Sequence, residues 1–276
     1  MSIQDIKTLI IGKQSNLSQA LLKKNNAFVL LSAREIIENM DILLPFRDSS
    51  VRLIFNNFQQ SVELGNVAHY EGYIQNAILS TAKVLDWFVP QQIDKIIYTS
   101  SSAVYGSNRF CKEEDPLQVL SFHASMKIAN EKLIEEYAKR YQIDYTIIRI
   151  FNMYGGEDKF SVISKIIHAV VTQKALLTVN GGCAIRDFIH INDVVESYIK
   201  ILEFKALPIV NIGTGKGNSV KNILAFLSDN GVEVQTKDIQ REEIQLSTAN
   251  NQLLRHKVGV KKFIPVESYL KKRLGL

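Results

Sequence analysis

Glycine is scarce in this sequence. There are 14 in 276 residues, about 5%, below the ~7% typical of globular chains. A shortage of that kind bears on any turn that needs close backbone approach. Cysteine is scarcer still: Cys111 and Cys183 are the only two, too few for a disulfide framework. With 5 prolines, 46% apolar and 22% charged residues, the composition excludes disorder and collagen-like order. No apolar run approaches the ~20 residues of a membrane-spanning helix. Met1 to Lys7 is polar and charged and lacks the apolar stretch of a secretory leader, so a soluble cytoplasmic protein is the expectation.

The formal charge is +5, spread over scattered lysines. The dense basic runs, Lys261-Lys262 and Lys271-Lys272-Arg273, read as solvated helix faces. A nucleic-acid surface would need a basic stripe interleaved with aromatics, and there is none, so no nucleic-acid partner is expected. An anionic small ligand suits the modest positive balance.

The length allows one large domain, or a domain with a smaller lobe. Up to about residue 150, short apolar runs alternate with helical periodicity. Lys7–Ile11, Phe28–Leu31, Val51–Phe55, Lys95–Thr99 and Tyr145–Ile150 read as strands. Leu17–Lys24, Tyr73–Val89 and Ala124–Tyr141 read as helices. Continuous apolar strands between helices indicate a parallel sheet covered on both faces, hence a doubly wound α/β fold. Ligands in such folds sit beyond the C-terminal ends of the strands. The later residues are less regular: helices at Phe160–Gln173, Asp193–Phe204 and Ser219–Asp229, strands at Leu176–Val179, Asp187–Ile191 and Ile209–Ile212. The expected organisation is a dinucleotide-binding domain over 1–152 that takes back about 187–212, with a smaller interleaved substrate lobe over 153–276.

The first turn reads Ile11-Gly12-Lys13-Gln14-Ser15-Asn16-Leu17-Ser18. It joins a strand to a helix, where backbone N–H groups can hold a pyrophosphate. The usual three glycines are reduced to Gly12, with Ser15 and Ser18 in the other places. An ordinary turn capped by Ser15 is the competing reading. The second strand ends Leu31-Ser32-Ala33-Arg34 with no acidic residue to hold a ribose hydroxyl. Arg34 can instead meet the 2′-phosphate of NADP, against the alternative of a plain surface arginine. Asp41-Ile42, placed at the start of a further short strand, is a candidate adenine contact. Asn56 and Asn57 close the Val51–Phe55 strand and make the candidate cofactor pocket more polar and narrower.

The most informative stretch is Thr99-Ser100-Ser101-Ser102-Ala103-Val104-Tyr105-Gly106, followed by His123-Ala124-Ser125-Met126-Lys127 opening a long helix. Positions 123 and 127 share a helix face. Beyond them come Asn152-Met153-Tyr154-Gly155-Gly156, Arg186-Asp187-Phe188-Ile189-His190-Ile191-Asn192-Asp193 and Asn211-Ile212-Gly213-Thr214-Gly215. Taken together, in this order and spacing, these strings resemble the extended short-chain dehydrogenase/reductases of the nucleotide-sugar epimerase, dehydratase and reductase family. The resemblance runs from Leu9 to the final helix.

The resemblance implies a nicotinamide cofactor, NADP or NAD with a lean to NADP from Arg34, and a nucleotide-diphosphate sugar as substrate. It implies 4-epimerase or 4-keto reductase chemistry. It places the family's Ser on Ser101, its Lys on Lys127 and its Tyr on His123, which is a departure. Ser15, Asn16, Leu17, Ser32, Arg34, Asp41, Ile42 and Asn56 fall on the cofactor side with Gly12 and Lys127. Ser102, Asn152 and Arg186 fall on the substrate side, with Arg186 on the diphosphate; a salt bridge from Arg186 to Asp187 is the plain alternative. Lys127 would hold the nicotinamide ribose and keep His123 neutral, because like charges disfavour imidazolium. Three readings of His123 stand: it carries the proton in place of Tyr, Ser101 or a water does so, or oxidoreduction is lost and the protein binds a nucleotide sugar or dinucleotide without turning it over. No metal is expected, since His168, His190 and His256 lack partners at ligand spacing. Family members often pair through helices equivalent to Tyr73–Val89 and Ala124–Tyr141, so the resemblance allows a homodimer, although apolar residues on those helices also serve the sheet.

Overall fold

The computed structural model describes residues 6–57 and 70–276. In chain order the elements are β1 (Lys7–Ile11), α1 (Asn16–Lys24), β2 (Val29–Leu31), α2 (Ala33–Glu38), β3 (Val51–Phe55), α3 (Tyr70–Ile74), α4 (Ser80–Trp87), β4 (Ile93–Ser101), α5 (Phe122–Tyr141), β5 (Asp144–Ile150) and β6 (Asn152–Tyr154). There follow α6 (Val162–Thr172), β7 (Leu176–Val179), β8 (Ile185–His190), α7 (Ile191–Glu203), β9 (Ile209–Ile212), β10 (Gly217–Ser219), α8 (Val220–Asp229), β11 (Thr236–Ile239), β12 (Leu246–Ser247) and α9 (Val266–Leu274). A π-helical stretch, Gln75–Leu79, joins α3 to α4. No helix among the described residues is long and apolar enough to cross a membrane.

The chain divides into two compact units. The first comprises Met1–Val104, Val119–Arg149 and Tyr198–Val210; the second comprises Tyr105–Gln118, Ile150–Ser197 and Asn211–Leu276. The first is built on a six-stranded sheet of order β2-β1-β3-β4-β5-β9. The pairs β1–β2, β1–β3 and β3–β4 are parallel. Strands as apolar as Thr8-Leu9-Ile10-Ile11 and Leu53-Ile54-Phe55 are buried along their length, because helices cover such a sheet on both faces. One face packs Leu9, Ile11, Leu53, Phe55, Ile96 and Tyr98 into a single cluster with Val84 and Ile134 from the helices. Each fully buried Leu or Ile contributes about 1.5–3 kcal/mol. The chain order reverses between β1 and β3, so the ligand crevice of such a sheet falls at their C-terminal ends, where Gly12 and Asn56 stand.

The helices begin where the sequence offers hydroxyl caps. The side chain of Ser121 accepts from the Ala124 N–H at 3.1 Å to start α5, and Ser161 does the same for Ser164 at the start of α6. Both end on a left-handed glutamine, Gln142 at φ 56° and Gln173 at φ 55°.

The second unit holds a mixed sheet in which β8 is flanked by β10 and β12 and also pairs with β6, plus a two-stranded sheet of β7 and β11. Its core gathers Tyr154, Ile163, Ile166, Leu176, Phe188, Ile223, Leu227, Val266 and Leu270. The expected strand at Asp41-Ile42 is not formed. These residues lie in a 3-10 helix, Met40–Phe46. The Asn39 side chain accepts from the Asp41 N–H at 2.8 Å and starts the turn, and Pro45 inside it has no N–H for a strand ladder.

Candidate functional site

Gly12 leaves β1 at φ +120°, and a Cβ there would lie 2.2 Å from the Asn56 carbonyl oxygen. Only glycine tolerates both conditions. Gly12 and Lys13 N–H both donate to the Leu31 carbonyl, at 2.8 and 3.0 Å, and Asn56 N–H donates to the Ile11 carbonyl at 2.8 Å. The turn is thus tied to both neighbouring strands. Asn16 and Leu17 then open α1, whose N-cap is Ser15, accepting from Ser18 N–H at 3.0 Å.

Asn56 is fully buried. Its Nδ2 donates to the hydroxyls of Ser15 and Ser18, each at 2.8 Å. Ser15 and Ser18, which stand where the usual glycine pattern would have glycines, are therefore bonded to Asn56, and the three form one network. The other end of the amide, Oδ1, is buried with no hydrogen-bond partner among the described residues, and Asn57 Oδ1 is in the same condition. An unsatisfied buried acceptor costs about 1–3 kcal/mol. Two such acceptors at the C-terminal end of β3 invite a ligand that carries donors.

At the end of β2, Ser32 caps α2 by accepting from Glu35 N–H at 3.3 Å. Arg34 Nε donates to Glu38 Oε1 at 2.8 Å in an exposed pair on that helix. Asp41 is exposed and Ile42 half-buried.

Lys127 is 4% exposed. Its Nζ donates to the Thr99 carbonyl at 2.8 Å and lies 5.2 Å from the centre of the Tyr98 ring. Burial lowers its pKa to about 8, and the Glu131 carboxylate one turn on opposes that shift. Glu131 is clamped by Arg149, with Nη2 to Oε2 at 2.7 Å and Nε to Oε1 at 3.1 Å, and receives the Ser100 hydroxyl as well. This buried network fastens α5 to the ends of β4 and β5, and so fixes where Lys127 reaches. Breaking one member of such a pair costs about 3–5 kcal/mol. Ser101 closes β4, its Oγ accepting from Ala103 N–H at 3.2 Å, and Ser102 opens the short 3-10 helix Ser102–Tyr105.

His123 lies in the first turn of α5, one turn before Lys127. Its pKa falls to about 4, chiefly through burial and then through the Lys127 charge. The lysine effect was legible in the spacing; the larger desolvation effect was not. Nδ1 of His123 lies 2.7 Å from the Tyr73 hydroxyl. Sequence reasoning counted Tyr73 only as the start of an amphipathic helix, and nothing local in sequence links positions 73 and 123.

In the second unit, a groove of about 1210 Å³ is lined by Asn152, Lys165, Arg186, Phe188, Arg241 and Arg273, among others. Two of the expected substrate residues, Asn152 and Arg186, thus meet at one concavity. Arg186 pairs with Glu243 at 3.3 Å rather than with Asp187, and burial lowers its pKa. Asp187 is otherwise engaged. It is fully buried and accepts from Thr214 N–H (2.8 Å), the Thr214 hydroxyl (2.6 Å), Gly215 N–H (2.8 Å) and Ala249 N–H (3.1 Å). Burial raises its pKa against those four bonds. The Asn-Ile-Gly-Thr-Gly segment is thereby pinned to β8, and Asn152 Nδ2 joins by donating to the Asp187 carbonyl at 3.2 Å. Among the described residues, no three His, Cys, Asp or Glu side chains gather as a metal site.

Residues 15–213 match the model of the NAD dependent epimerase/dehydratase family, and the chain belongs to that family. A putative UDP-glucose 4-epimerase of Methanocaldococcus jannaschii is 34% identical over 199 residues, covering 69% of this chain and 64% of the relative. Protein CapI of Staphylococcus aureus is 29% identical over 178 residues, covering 62% of this chain and 53% of CapI. The chain thus spans between half and two thirds of the length of these relatives. Among solved structures, MoeE5 in complex with UDP-glucose and NAD superposes with a TM-score of 0.87 at 19% identity, covering 98% of this chain and 97% of MoeE5. That likeness establishes the Rossmann-like fold.

Proposed function

We propose that the chain is a nucleotide-sugar-modifying oxidoreductase or isomerase of the 4-epimerase or 4-keto reductase type. A nicotinamide dinucleotide serves the first unit and a nucleotide-diphosphate sugar the second. The observation that carries the reading is the buried Lys127, held at the C-terminal end of β4 one helical turn from His123. A lysine lowered to about 8 is a costly feature to bury unless the site uses it.

The residues fit the cofactor. Gly12 keeps the close turn, α1 offers its N-terminus, and the orphaned acceptors of Asn56 and Asn57 suit ligand donors. Gly12, Ser15, Asn16 and Leu17 would hold the diphosphate, with Ser32, Asp41 and Ile42 beside the adenosine. Lys127 would hold the nicotinamide ribose. When bound, the group supplies hydride exchange with a sugar carbon. The chain's own part is to bind the sugar oxygen through Ser101, with Ser102 nearby, and to hold or move its proton at His123. The lean to NADP rests on Arg34, which is already paired with Glu38, whereas MoeE5 is described with NAD; NAD is therefore the cofactor we favour.

The groove of the second unit presents Lys165, Arg186, Arg241 and Arg273 to an anionic ligand. A diphosphate receives charge-assisted bonds there, and Phe188 and Asn152 meet its less charged parts. Purified protein should convert a UDP-hexose to its 4-epimer with NAD, or a 4-keto nucleotide sugar to the hexose with NADH, read by NMR of the products. Binding of both ligands without turnover would favour the second reading, a binding protein of the same fold, which the strongly depressed His123 motivates. A homodimer through the α3–α4 and α5 helices is part of the proposal. Tyr70, Ile74 and Leu79 are exposed there, and light scattering at working concentration reads the mass.

A further inference from the structure

His123 and Tyr73 form a contact that neither the family signature nor the sequence spacing contains. The hydroxyl of Tyr73 lies 2.7 Å from His123 Nδ1. The phenol is 6% exposed. Its ring is braced edge-on by Phe122, the residue before His123, with centroids 5.1 Å apart. Tyr70 braces Phe122 in turn at 5.0 Å. The pair is therefore held by packing from both of its helices.

A neutral imidazole has one donor and one acceptor nitrogen, and a phenol has one O–H. A contact of 2.7 Å needs a proton between the atoms. Either the phenol donates to Nδ1, or Nδ1–H donates to the phenol oxygen. The phenol is the more acidic partner and the imidazole nitrogen the more basic one, so the first arrangement is the more stable. It requires a neutral imidazole, and burial beside the Lys127 cation supplies that condition.

We propose that Tyr73 is a positioning residue that donates to His123 Nδ1 and locks the imidazole in its Nε2–H form, so that His123 offers a ligand oxygen a donor backed by a phenol. The protons balance. When a ligand oxygen takes the Nε2 proton, Nδ1 takes the Tyr73 proton; the site resets when a ligand hydroxyl or water returns a proton to Nε2 and Nδ1 gives its proton back to the phenolate. The reverse passage accepts a proton from the ligand. Neither an imidazolium beside Lys127 nor an imidazolate forms at any stage. The phenol of Tyr73 is thus the proton source, acting through the histidine. The tautomer assignment rests on the 2.7 Å contact and the relative acidities of phenol and imidazole; its use in turnover rests on the reading under Proposed function.

The test begins with the full chain, free of ligands, labelled with 15N in its histidines. His123→Ala identifies the His123 resonances by their loss. Wild type should show a protonated Nε2 and an unprotonated, hydrogen-bonded Nδ1. Tyr73→Phe should move the Nδ1 resonance towards that of an unbonded nitrogen and bring in the other tautomer. A wild-type spectrum with the proton on Nδ1 overturns the inference, as does a Tyr73→Phe spectrum identical to wild type. Should Tyr73→Phe fail to fold, the wild-type tautomer decides alone. A protein inert towards nucleotide sugars would defeat the functional reading and leave this assignment intact. In an active protein, Tyr73→Phe should lower kcat by ~100-fold at unchanged KM; wild-type kcat in that variant would overturn the relay.

Discussion

Substituting Gly12 by alanine tests the first turn directly. The backbone there has φ +120°, and the new Cβ would lie 2.2 Å from Asn56 O and 2.7 Å from Asn56 C. The obstacle is main chain, so no side chain can rotate away. Asn56 N–H is itself bonded to the Ile11 carbonyl at 2.8 Å, so relief means parting β1 from β3 at the centre of the sheet. Backbone strain contributes about 1–3 kcal/mol and overpacking a further 1–3 kcal/mol. The sum is about 2–6 kcal/mol, a Tm drop of roughly 4–24 °C at about 2–4 °C per kcal/mol for a chain of this size class. Gly231→Ala is the control, because Gly231 has φ +78° with nothing within 4 Å of its would-be Cβ and should lose only about 1 kcal/mol. Urea unfolding followed by circular dichroism gives both values. If Gly12→Ala is no worse than Gly231→Ala, the argument that Asn56 and Gly12 are in enforced contact is wrong.

Three further outcomes follow from the site. His123 and His190 both fall from 6.5 to about 4 in the folded state, so their contribution is present above pH 6.5 and is lost as pH drops towards 4; the loss is up to about 3 kcal/mol per histidine, and His123→Gln should flatten the measured stability–pH curve across that window. Asp187→Asn replaces an acceptor of four bonds with a group that turns an NH2 towards donors, and should cost at least about 2 kcal/mol, with faster hydrogen exchange at Thr214 and Gly215. Glu243→Gln removes the partner of Arg186 and should tighten UDP-sugar binding in calorimetry, whereas Arg186→Met should weaken it by ~10-fold or more.

Much of the first unit was legible in the sequence because its strands are continuous apolar runs. Val51–Phe55 and Ile209–Ile212 match to the residue, since burial on both faces leaves no other period for them to follow. The Asp41 segment was misread because the local preference of Asn39 and Pro45 for a turn outweighs one short apolar pair. Short strands such as β10, β11 and β12 escaped notice. Gly217-Asn218-Ser219 carries no strand pattern and is ordered by pairing with β8 across the chain. In the candidate site, the motif proposes Ser101, His123 and Lys127, and the one-turn spacing of His123 and Lys127 on a helix was legible, as was Ser15 as a cap by residue type. The Tyr73 contact, the Glu131–Arg149 clamp and the Arg186–Glu243 pair could not, because each depends on side chains brought together from distant segments. The shortage of glycine now has a physical counterpart: Ser15 and Ser18 are bonded to a buried Asn56 that sits against the one glycine retained.

The central claim is that His123 carries the proton of a nucleotide-sugar reaction, and it is tested most directly by measuring turnover of UDP-hexose with NAD in wild type and in His123→Ala. The account predicts measurable turnover in wild type and a fall of ~100-fold or more in the variant, with NAD and sugar still bound. Equal turnover in the two proteins would contradict it.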